Sequence, residues 1–226
     1  MTKRAVLDDT AEGRILDAAG RVFKEKGYGA ASLREIAGEA AMLLGSLQYR
    51  FPTKEALFLA LMAQGTAKAV GNVQAAISQA EEPVERLRLA FRSHISQLLG
   101  GDPVYYVLIS EWRCLSPDTL ETVMTLRGRY MDLIDSLVDE AAWSGRLQRE
   151  VDPKLARQFV FSAANWMALV KPFVDDMDAE VIATQFWRMF ATGVLVPSGE
   201  DPKNFEVQAA TGEESKQARD HAARVQ

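Results

Sequence analysis

The sequence of 226 residues predicts an all-α fold, with an N-terminal three-helix unit containing a helix-turn-helix and a C-terminal helical domain. Apolar residues recur at helical spacing along most of the chain, and no stretch alternates as a half-buried strand does. Four helix starts combine a capping or turn residue with proline, which the first turn tolerates because its N–H has no partner there. These starts are Glu82-Pro83, Asp102-Pro103, Ser116-Pro117 and Asp152-Pro153.

The three predicted N-terminal helices cover about residues 10–26, 33–40 and 44–50. Gly27 ends the first helix, because glycine accepts left-handed backbone angles cheaply. Ser32 and Glu35 have the spacing of a capping box, in which the serine caps the second helix and the glutamate reaches back. A turn of about three residues joins the second and third helices, which is the geometry of a helix-turn-helix.

The later helices are longer and end before a polar tail. We predict them at about residues 54–80, 83–99, 103–113, 117–145, 153–173 and 178–195. Polar and charged residues make up most of the segment 197–226, which predicts a mobile tail with a short helix near 213–225. The sequence therefore divides into a helix-turn-helix domain (1–53), a helical domain (54–196) and this tail.

The composition is that of a globular protein, with 48% hydrophobic and 25% charged residues. The longest nearly apolar stretch, 159–170, is interrupted by Ser162 and Asn165 and is too short to span a bilayer. No apolar stretch follows the basic residues near the N-terminus, which argues against a signal peptide. The single cysteine, Cys114, cannot form an internal disulfide. We therefore expect a cytoplasmic protein without a membrane partner.

The net charge of −5 is unevenly distributed. Residues 1–60 carry nine Lys/Arg and eight Asp/Glu, whereas the remainder carries 17 basic and 23 acidic residues. DNA phosphates would therefore meet an acidic surface on the remainder but not on the N-terminal part. This charge distribution permits DNA binding by the N-terminal part without establishing it.

The third helix has the composition of a recognition helix. Leu47 is its buried residue, and small or polar side chains such as Ser46 and Gln48 let the other face enter the major groove. Tyr49 and Arg50 follow one turn later, where a hydroxyl and a guanidinium can reach phosphates. The predicted DNA contacts are Ser32, Leu43, Leu44, Ser46, Gln48, Tyr49, Arg50 and Lys54.

A closing segment completes this unit. Phe51 returns to the core, Pro52 stops the third helix and Thr53 caps the next one. Lys54 and the free N–H groups at that helix start form a predicted phosphate seat. The alternative is a three-helix packing unit without a role in DNA binding.

Several spaced motifs carry a family resemblance. They are Arg14-Ile15-Leu16-Asp17-Ala18-Ala19, Gly27-Tyr28, Ser32-Leu33-Arg34-Glu35-Ile36-Ala37, Gly45-Ser46-Leu47, Phe51-Pro52 and Lys54-Glu55-Ala56-Leu57. With them, residues 14–62 resemble the DNA-binding domain of the TetR family of bacterial regulators. The resemblance implies a transcriptional regulator, usually a repressor, that binds a palindromic operator as a homodimer and is released by a small apolar or amphiphilic effector.

Three features depart from the family pattern. Ala41 stands where the family commonly has glycine, so the turn is either slightly strained or keeps a negative φ. Gln48 stands where tyrosine is usual and can hydrogen-bond an adenine edge instead. Leu43 and Leu44 are apolar, which favours contact with thymine methyl groups.

The resemblance also implies an effector cavity among the middle helices. The residues assigned to it are Phe91, Tyr106, Trp112, Arg113, Arg127, Tyr130, Phe161 and Trp166. The segments 111–113, 115–117, 126–130 and 165–166 resemble the branch of the family whose effectors include acyl-coenzyme A thioesters. Such ligands need an apolar tunnel for the acyl part and guanidinium groups for the phosphates. The alternative is that the aromatic residues form the core and the arginines are solvated or ion-paired.

In the family plan the last two long helices form the dimer interface. The residues assigned to it are Phe159, Ala163, Phe186, Met189, Phe190 and Val194. A two-fold dimer would set two recognition helices about 34 Å apart to bind a palindrome. Core packing within one subunit is the alternative for the same residues.

The sequence offers no catalytic constellation. It has two histidines and one cysteine, without a nucleophile elbow, a phosphate-cradling glycine loop or metal-ligand spacing. We interpret His94 as a partly buried helical residue, and we expect no enzyme activity, metal or cofactor. The remaining rival is a helical ligand-binding relative that has lost DNA binding, which would lack salt-dependent DNA affinity.

Overall fold

A computed structural model describes residues 10–170 and 178–196 of the chain. These residues form nine α-helices and one short 3₁₀ helix, which confirms the predicted all-α fold. The α-helices are α1 (Ala11–Ala30), α2 (Leu33–Glu39), α3 (Leu44–Arg50), α4 (Lys54–Ile77), α5 (Pro83–Leu99), α6 (Pro103–Ser110), α7 (Pro117–Trp143), α8 (Pro153–Leu169) and α9 (Ala179–Val194). The 3₁₀ helix, Glu111–Cys114, follows α6 directly.

The proline-marked helix starts are all confirmed. Proline begins α5, α6, α7 and α8, and the side chain before each proline accepts a hydrogen bond from a backbone N–H in the first turn. Glu82 caps in this way as well, through the N–H of Glu85 at 2.7 Å. Each cap satisfies a donor that the helix itself leaves free.

The predicted helix ends are less accurate than the starts. α4 ends at Ile77 rather than near residue 80, and the predicted helix 103–113 is α6 followed by the 3₁₀ helix. Helix ends depend on which groups meet the last carbonyls, and apolar periodicity carries little information about those groups. The last three residues of the predicted helix 153–173 lie outside the described residues. The tail 197–226, with its predicted short helix near 213–225, lies outside them as well.

The N-terminal helices pack around a wholly apolar centre. Ile15, Phe23, Ile36 and Leu47 have no exposed surface. The capping box forms as predicted, with the Ser32 side chain and the Glu35 side chain each bonding the other residue's backbone N–H. Gly27 interrupts α1 with φ at 77°.

Ala41 in the helix-turn-helix turn has φ at 52°. The strained alternative is therefore correct and the negative-φ alternative is wrong. A left-handed conformation costs an L-residue about 1–2 kcal/mol, because its Cβ crowds the following carbonyl.

α4 connects the N-terminal unit to the rest of the molecule. Near its start, the Phe58 ring packs edge-on against Phe23 at 5.5 Å and Tyr28 at 4.7 Å. Further along, Val73 and Ile77 are buried in the core that α4 shares with α5 and α7. One rigid helix therefore reaches from the helix-turn-helix into the C-terminal helices, and the division at residue 54 remains a prediction.

The ends of α7 and α9 are joined by backbone hydrogen bonds. Val196 N–H donates to the Arg146 carbonyl at 2.9 Å, and Gln148 N–H donates to the Val194 carbonyl at 3.0 Å. These bonds form a single antiparallel bridge between Leu147 and Leu195, not a strand. In the described part of the chain, no helix has the length and apolarity to cross a lipid bilayer.

Candidate functional site

The recognition helix α3 presents a solvent-facing surface. Leu47 anchors it in the core, whereas Leu43 is 78% exposed and Tyr49 is 90% exposed. Ser46, Gln48 and Arg50 are also exposed, so these predicted DNA contacts are free to meet a duplex. Leu44 is half-buried against the core, and the thymine contact predicted for it has little surface to use.

Lys54 is engaged within the protein. Its ammonium donates to the carbonyls of Tyr28 at 2.7 Å, Gly29 at 3.1 Å and Ala31 at 2.8 Å, and lies 4.7 Å from the Tyr28 ring centre. An ammonium has three donors, so this arrangement uses all of them. The predicted phosphate seat at Lys54 is therefore corrected: its charge caps the C-terminal end of α1, where helix carbonyls lack partners.

Ser32 is likewise a structural cap. Its hydroxyl donates to the Glu35 carboxylate at 2.7 Å and accepts the Glu35 N–H at 3.3 Å. Hydrogen bonds from Lys26 and Ser32 lower the pKa of Glu35 to about 2. Sequence reasoning missed Arg34 as a candidate contact: it is exposed on α2 beside this cap, and no ion pair holds it among the described residues.

The C-terminal helices enclose a cavity of about 160 Å³. Five helices, α4 to α8, contribute to its wall. Its wall includes Thr66, Ala69, His94, Gln97, Tyr105, Leu108, Arg127, Tyr130, Met131, Arg157, Gln158, Phe161, Ser162 and Asn165. Gln158 and Ser162 are exposed, so the cavity reaches the surface beside α8.

Three of the predicted effector residues line this cavity: Arg127, Tyr130 and Phe161. Phe91 does not, because it is buried behind the wall, with Phe161 at 5.9 Å and Phe186 at 6.4 Å between ring centres. The prediction for Phe91 is therefore corrected to a core residue.

Three further predicted effector residues, Tyr106, Trp112 and Trp166, lie elsewhere. Tyr106 faces α1, where the Lys24 ammonium is 5.9 Å from its ring centre. Trp166 is 62% exposed on the outer face of α8. Trp112 belongs to the 3₁₀ helix and does not line the cavity, and the Arg113 side chain lies outside what the structure describes.

His94 is the centre of a polar group in the cavity wall. Its Nδ1 lies 2.8 Å from the Tyr130 hydroxyl, and its Nε2 lies 3.1 Å from Asn165 Oδ1. With the amide oxygen facing Nε2, that nitrogen carries the proton and Nδ1 accepts from Tyr130. Burial lowers the pKa of His94 to about 4, so the ring is neutral near pH 7. This buried polar centre was not predicted as part of a site.

Two guanidinium groups line the cavity. Arg157 forms an ion pair with Asp135. Arg127 has no carboxylate partner among the described residues, and burial lowers its pKa. Arg129, two residues further along α7, is exposed and does not line the cavity. No Asp or Glu of the described part lines the cavity, so its electrostatic character is positive.

Direct contacts tie the helix-turn-helix to the cavity-bearing helices. The Glu111 carboxylate accepts the Tyr28 N–H at 2.7 Å, and the Glu55 carboxylate accepts the Thr119 hydroxyl. Along α4, Lys54 and Thr66 are twelve residues apart, which is about 18 Å at the helical rise. A change at the cavity therefore has a short, rigid route to the recognition helix.

An apolar surface lies on the outside of α8 and α9. Phe159 and Met189 from the predicted interface are 76% and 64% exposed, and Leu155, Trp166 and Val181 extend this surface. Helical spacing places Leu155, Phe159 and Trp166 on one face of α8.

Two other predicted interface residues pack against aromatic side chains of the same chain. Phe190 is 6% exposed and packs on Trp187 at 5.5 Å, and Phe186 stacks on Phe91. The inner face of α9 packs on α5, so the intrasubunit alternative holds for Phe190, whereas the half-buried Phe186 stays a predicted interface residue. Ala163 and Val194 are half-buried, and the Val194 carbonyl accepts the Gln148 N–H.

The described residues contain no group of three His, Cys, Asp or Glu side chains close enough to hold a metal ion.

Two family models match the chain. Residues 15–61 match the family described as bacterial regulatory proteins, tetR family, and residues 80–194 match the tetracyclin repressor-like C-terminal domain.

Similar proteins include a regulator of fatty acid metabolism. The fatty acid metabolism regulator protein of Bacillus subtilis is 26% identical over 148 residues, which cover 66% of this chain and 76% of that protein. The structure of AibR in complex with isovaleryl coenzyme A and operator DNA is 26% identical, with a TM-score of 0.71, and covers 80% of this chain and 97% of its own. The FadR structure from Bacillus subtilis in complex with stearoyl-CoA shares the fold, at 23% identity and a TM-score of 0.70, over 80% of this chain and 97% of its own.

Proposed function

Because the chain belongs to the TetR family of bacterial regulatory proteins, we propose that it is a transcriptional repressor controlled by a small effector. It binds a palindromic operator as a homodimer and leaves the operator when an acyl-type effector, such as a coenzyme A thioester, enters the C-terminal cavity. The observation that carries this proposal is α4, a single helix that begins at the helix-turn-helix and lines the cavity with Thr66 and Ala69. Since its target is DNA, we place the protein in the cytoplasm.

The exposed surface of α3 supports the DNA-binding part of the proposal. Tyr49 and Arg50 supply phosphate contacts, which position the protein but carry no sequence information. Leu43, Ser46 and Gln48 approach the base edges, where the Gln48 amide can bond adenine and Leu43 can contact a thymine methyl. The internally engaged Lys54 stiffens the unit instead of contacting DNA.

The exposed apolar surface of α8 and α9 supports the homodimer. Leu155, Phe159, Trp166 and Met189 are large side chains that a monomer would leave in water. A second copy related by a two-fold axis covers them with the same surface, because such an interface is self-complementary. The two recognition helices then bind half-sites about one helical turn apart.

Release follows from differential binding to two arrangements of the dimer. An effector that binds the cavity better in one arrangement shifts the population toward it. In our mechanism, contact with Thr66 displaces α4, and α6 moves with it because Tyr105 and Leu108 line the same cavity while its first turn packs on α1. The separation of the recognition helices then no longer matches the operator.

The central experiment is a fluorescence-anisotropy titration of the full-length protein against DNA from its own upstream region, with about 50 mM and about 200 mM salt. Arg50→Gln should weaken binding to all fragments and reduce the salt slope by about two, because it removes one phosphate contact from each protomer of the proposed dimer. Arg149→Gln is the control, since Arg149 is an exposed arginine in the turn after α7. Addition of an acyl-coenzyme A should lower the operator affinity of the wild type.

Absence of binding to every upstream fragment at low salt would contradict the proposal and favour a ligand-binding relative without DNA binding. A reporter gene behind the bound fragment then decides between repressor and activator. Loss of the protein should raise expression for a repressor.

The dimer is tested by Phe159→Asp, which places a charge in the proposed interface and should give a monomer in sedimentation velocity. Trp143→Asp is the matched control, because Trp143 is an aromatic residue that is 83% exposed at the end of α7, outside the two helices of the proposed interface. Equal dissociation in both variants would count against this interface.

A further inference from the structure

The size of the cavity limits what it can hold. Its volume is about 160 Å³, and an apolar cavity of about 150 Å³ in another protein holds one benzene molecule. The cavity therefore has room for roughly six carbon atoms. The similar complexes named above hold a short branched acyl group in one case and a long straight chain in the other. Similarity alone thus leaves the length of the effector open, and the volume of the cavity favours a short one.

The charges in the cavity wall identify one end of the ligand. Arg127 is a partly buried guanidinium with no carboxylate partner among the described residues, and Arg157 is compensated by Asp135. His94 is neutral and bonded at both ring nitrogens, so it neither adds charge nor offers a free donor. An uncompensated cation away from water is costly, and an anionic or strongly polar oxygen at Arg127 removes that cost.

The wall also holds one hydroxyl that lacks a partner. Thr66 is 5% exposed, and its Oγ1 has no hydrogen bond in the described part of the protein. Buried polar groups are nearly always hydrogen-bonded, so an unpaired one facing a cavity points to a ligand atom. Thr66 lies on α4, the helix that begins at the helix-turn-helix.

We propose that the cavity binds a short acyl or aryl group of about six carbon atoms, with its carboxyl oxygens held by Arg127 and Thr66. The head is either a free carboxylate or the carbonyl of a coenzyme A thioester, since both present oxygen to these donors. The apolar body lies against Leu108, Met131 and Phe161. In a thioester, the coenzyme A part would extend from the cavity to the solvent beside the exposed Gln158 and Ser162. This inference rests on the proposed function, because it names the class of effector for the same cavity.

The preference for a short body follows from packing. A straight chain of eighteen carbons needs about three times the space of a benzene-sized group. Protein interiors are close-packed, so such a chain would have to displace Phe161 or Leu108 from the core. A six-carbon body fills the cavity without that displacement.

The test is isothermal titration calorimetry of the full-length protein, without DNA, against hexanoate, benzoate, hexanoyl-coenzyme A and palmitoyl-coenzyme A. We expect a six-carbon ligand to bind at least about tenfold more tightly than palmitoyl-coenzyme A. Comparison of hexanoate with hexanoyl-coenzyme A identifies the natural head group. Affinity that rises steadily to palmitoyl-coenzyme A would overturn the inference on length.

Three variants test the head-group contacts. Arg127→Gln should weaken the six-carbon ligand by about tenfold or more, because it removes the charge that meets the oxygen. Thr66→Val should weaken it by about three- to tenfold, the usual effect of one lost hydrogen bond. Arg129→Gln is the matched control on the exposed side of α7 and should bind as the wild type.

Thermal melting distinguishes a binding role from a folding role. Arg127→Gln should melt no lower than the wild type, since it removes an uncompensated charge from a partly buried position. Unchanged ligand affinity in Arg127→Gln would overturn the inference on the head group. Because calorimetry needs no DNA, a protein that binds six-carbon acids but no operator would refute the proposed function while leaving this inference intact.

Discussion

The helix-turn-helix unit and the cavity-bearing helices differ in what they bury. Among the described residues before α4, no polar side chain is buried, and the centre is filled by aliphatic and aromatic groups. The later helices bury Thr66, His94 and Thr119 and keep a cavity between them. The apolar packing of the first region favours a single conformation. The second retains polar groups and free space, which lower stability but allow a ligand to be recognised.

The difference is largest for aromatic contacts. In the N-terminal unit, Phe23 and Tyr28 pack on each other and on Phe58 at the start of α4, which lies 5.5 Å from Phe23, so the three rings form a closed cluster. In the second region, Phe161 contacts Phe91 on one side and the His94 ring at 4.8 Å on the other, at the edge of the cavity. The same residue type therefore fills a core in one region and lines a site in the other.

The largest expected effect comes from emptying the closed cluster. Phe23→Ala should lower the free energy of unfolding by about 3–5 kcal/mol, since it removes a fully buried ring whose neighbours cannot fill the space. Urea denaturation measures this at a fixed protein concentration, because the proposed dimer would make stability depend on concentration. Phe23→Leu, which keeps most of the apolar volume, is the control and should cost much less. Equal losses in both variants would mean that the cluster is not tightly packed.

The contrast also explains how much the sequence could predict. The capping box at Ser32 and Glu35 and the proline-marked starts involve partners within four residues, so local spacing determines them. The carbonyls that hold Lys54 lie 23–26 residues earlier, and its role was consequently predicted wrongly. The His94 group joins residues 36 and 71 positions away. Such groupings depend on helix packing, which a single sequence does not specify.

Aromatic residues show the same limit. Helical periodicity marks Phe91 and Phe161 alike as apolar, yet only Phe161 reaches the cavity. On α9, the phase of the pattern could not separate the inner Phe190 from the outer Met189 without knowing which face meets α5. Composition therefore predicts that a residue is apolar, whereas its role follows from the three-dimensional arrangement.

The second effect concerns the buried histidine. The folded chain protonates His94 only near pH 4, whereas the unfolded chain does so near pH 6.5, so acid favours unfolding between these values. The free energy of unfolding should fall by an amount on the order of 3 kcal/mol as the pH drops through this window. His94→Gln should remove that part of the pH dependence, and the difference between the two curves isolates it from the carboxylates. If the free energies of unfolding of the wild type and of His94→Gln change with pH in parallel, His94 has an ordinary pKa in the folded protein.

The third effect tests the contact between α4 and α6. A methyl group at Gly65 would lie 2.5 Å from Val104 Cγ2 and 3.2 Å from Leu108 Cδ1. Gly65→Ala should therefore separate the helices and cost about 1–3 kcal/mol. Gly71→Ala on the same helix is the control: a methyl group there meets nothing within 4 Å, so the lower flexibility should stabilise by about 0.5–1 kcal/mol. Both changes are measured by urea denaturation.

The fourth substitution is expected to raise the free energy of unfolding, whereas most substitutions in a core lower it. Thr66→Val should raise the free energy of unfolding by about 1 kcal/mol, because it removes a buried hydroxyl that has no partner in the described structure. Val123→Thr provides the converse, since it introduces a hydroxyl at a fully buried position on α7 and should destabilise. A loss of stability in Thr66→Val would show that its hydroxyl is satisfied in the folded protein.

The smallest effect is expected at the strained turn of the N-terminal unit. Ala41 has φ at 52°, a conformation that glycine adopts without a Cβ clash. Ala41→Gly should stabilise the fold by a few tenths to about 1 kcal/mol, because relief of strain exceeds the added freedom of the unfolded chain. Ala67→Gly, at an exposed position within α4, should instead destabilise by about 0.5–1 kcal/mol. If Ala41→Gly is stabilising yet weakens operator binding, the strained turn holds α3 in its binding orientation, and even the well-packed region gives up stability for function.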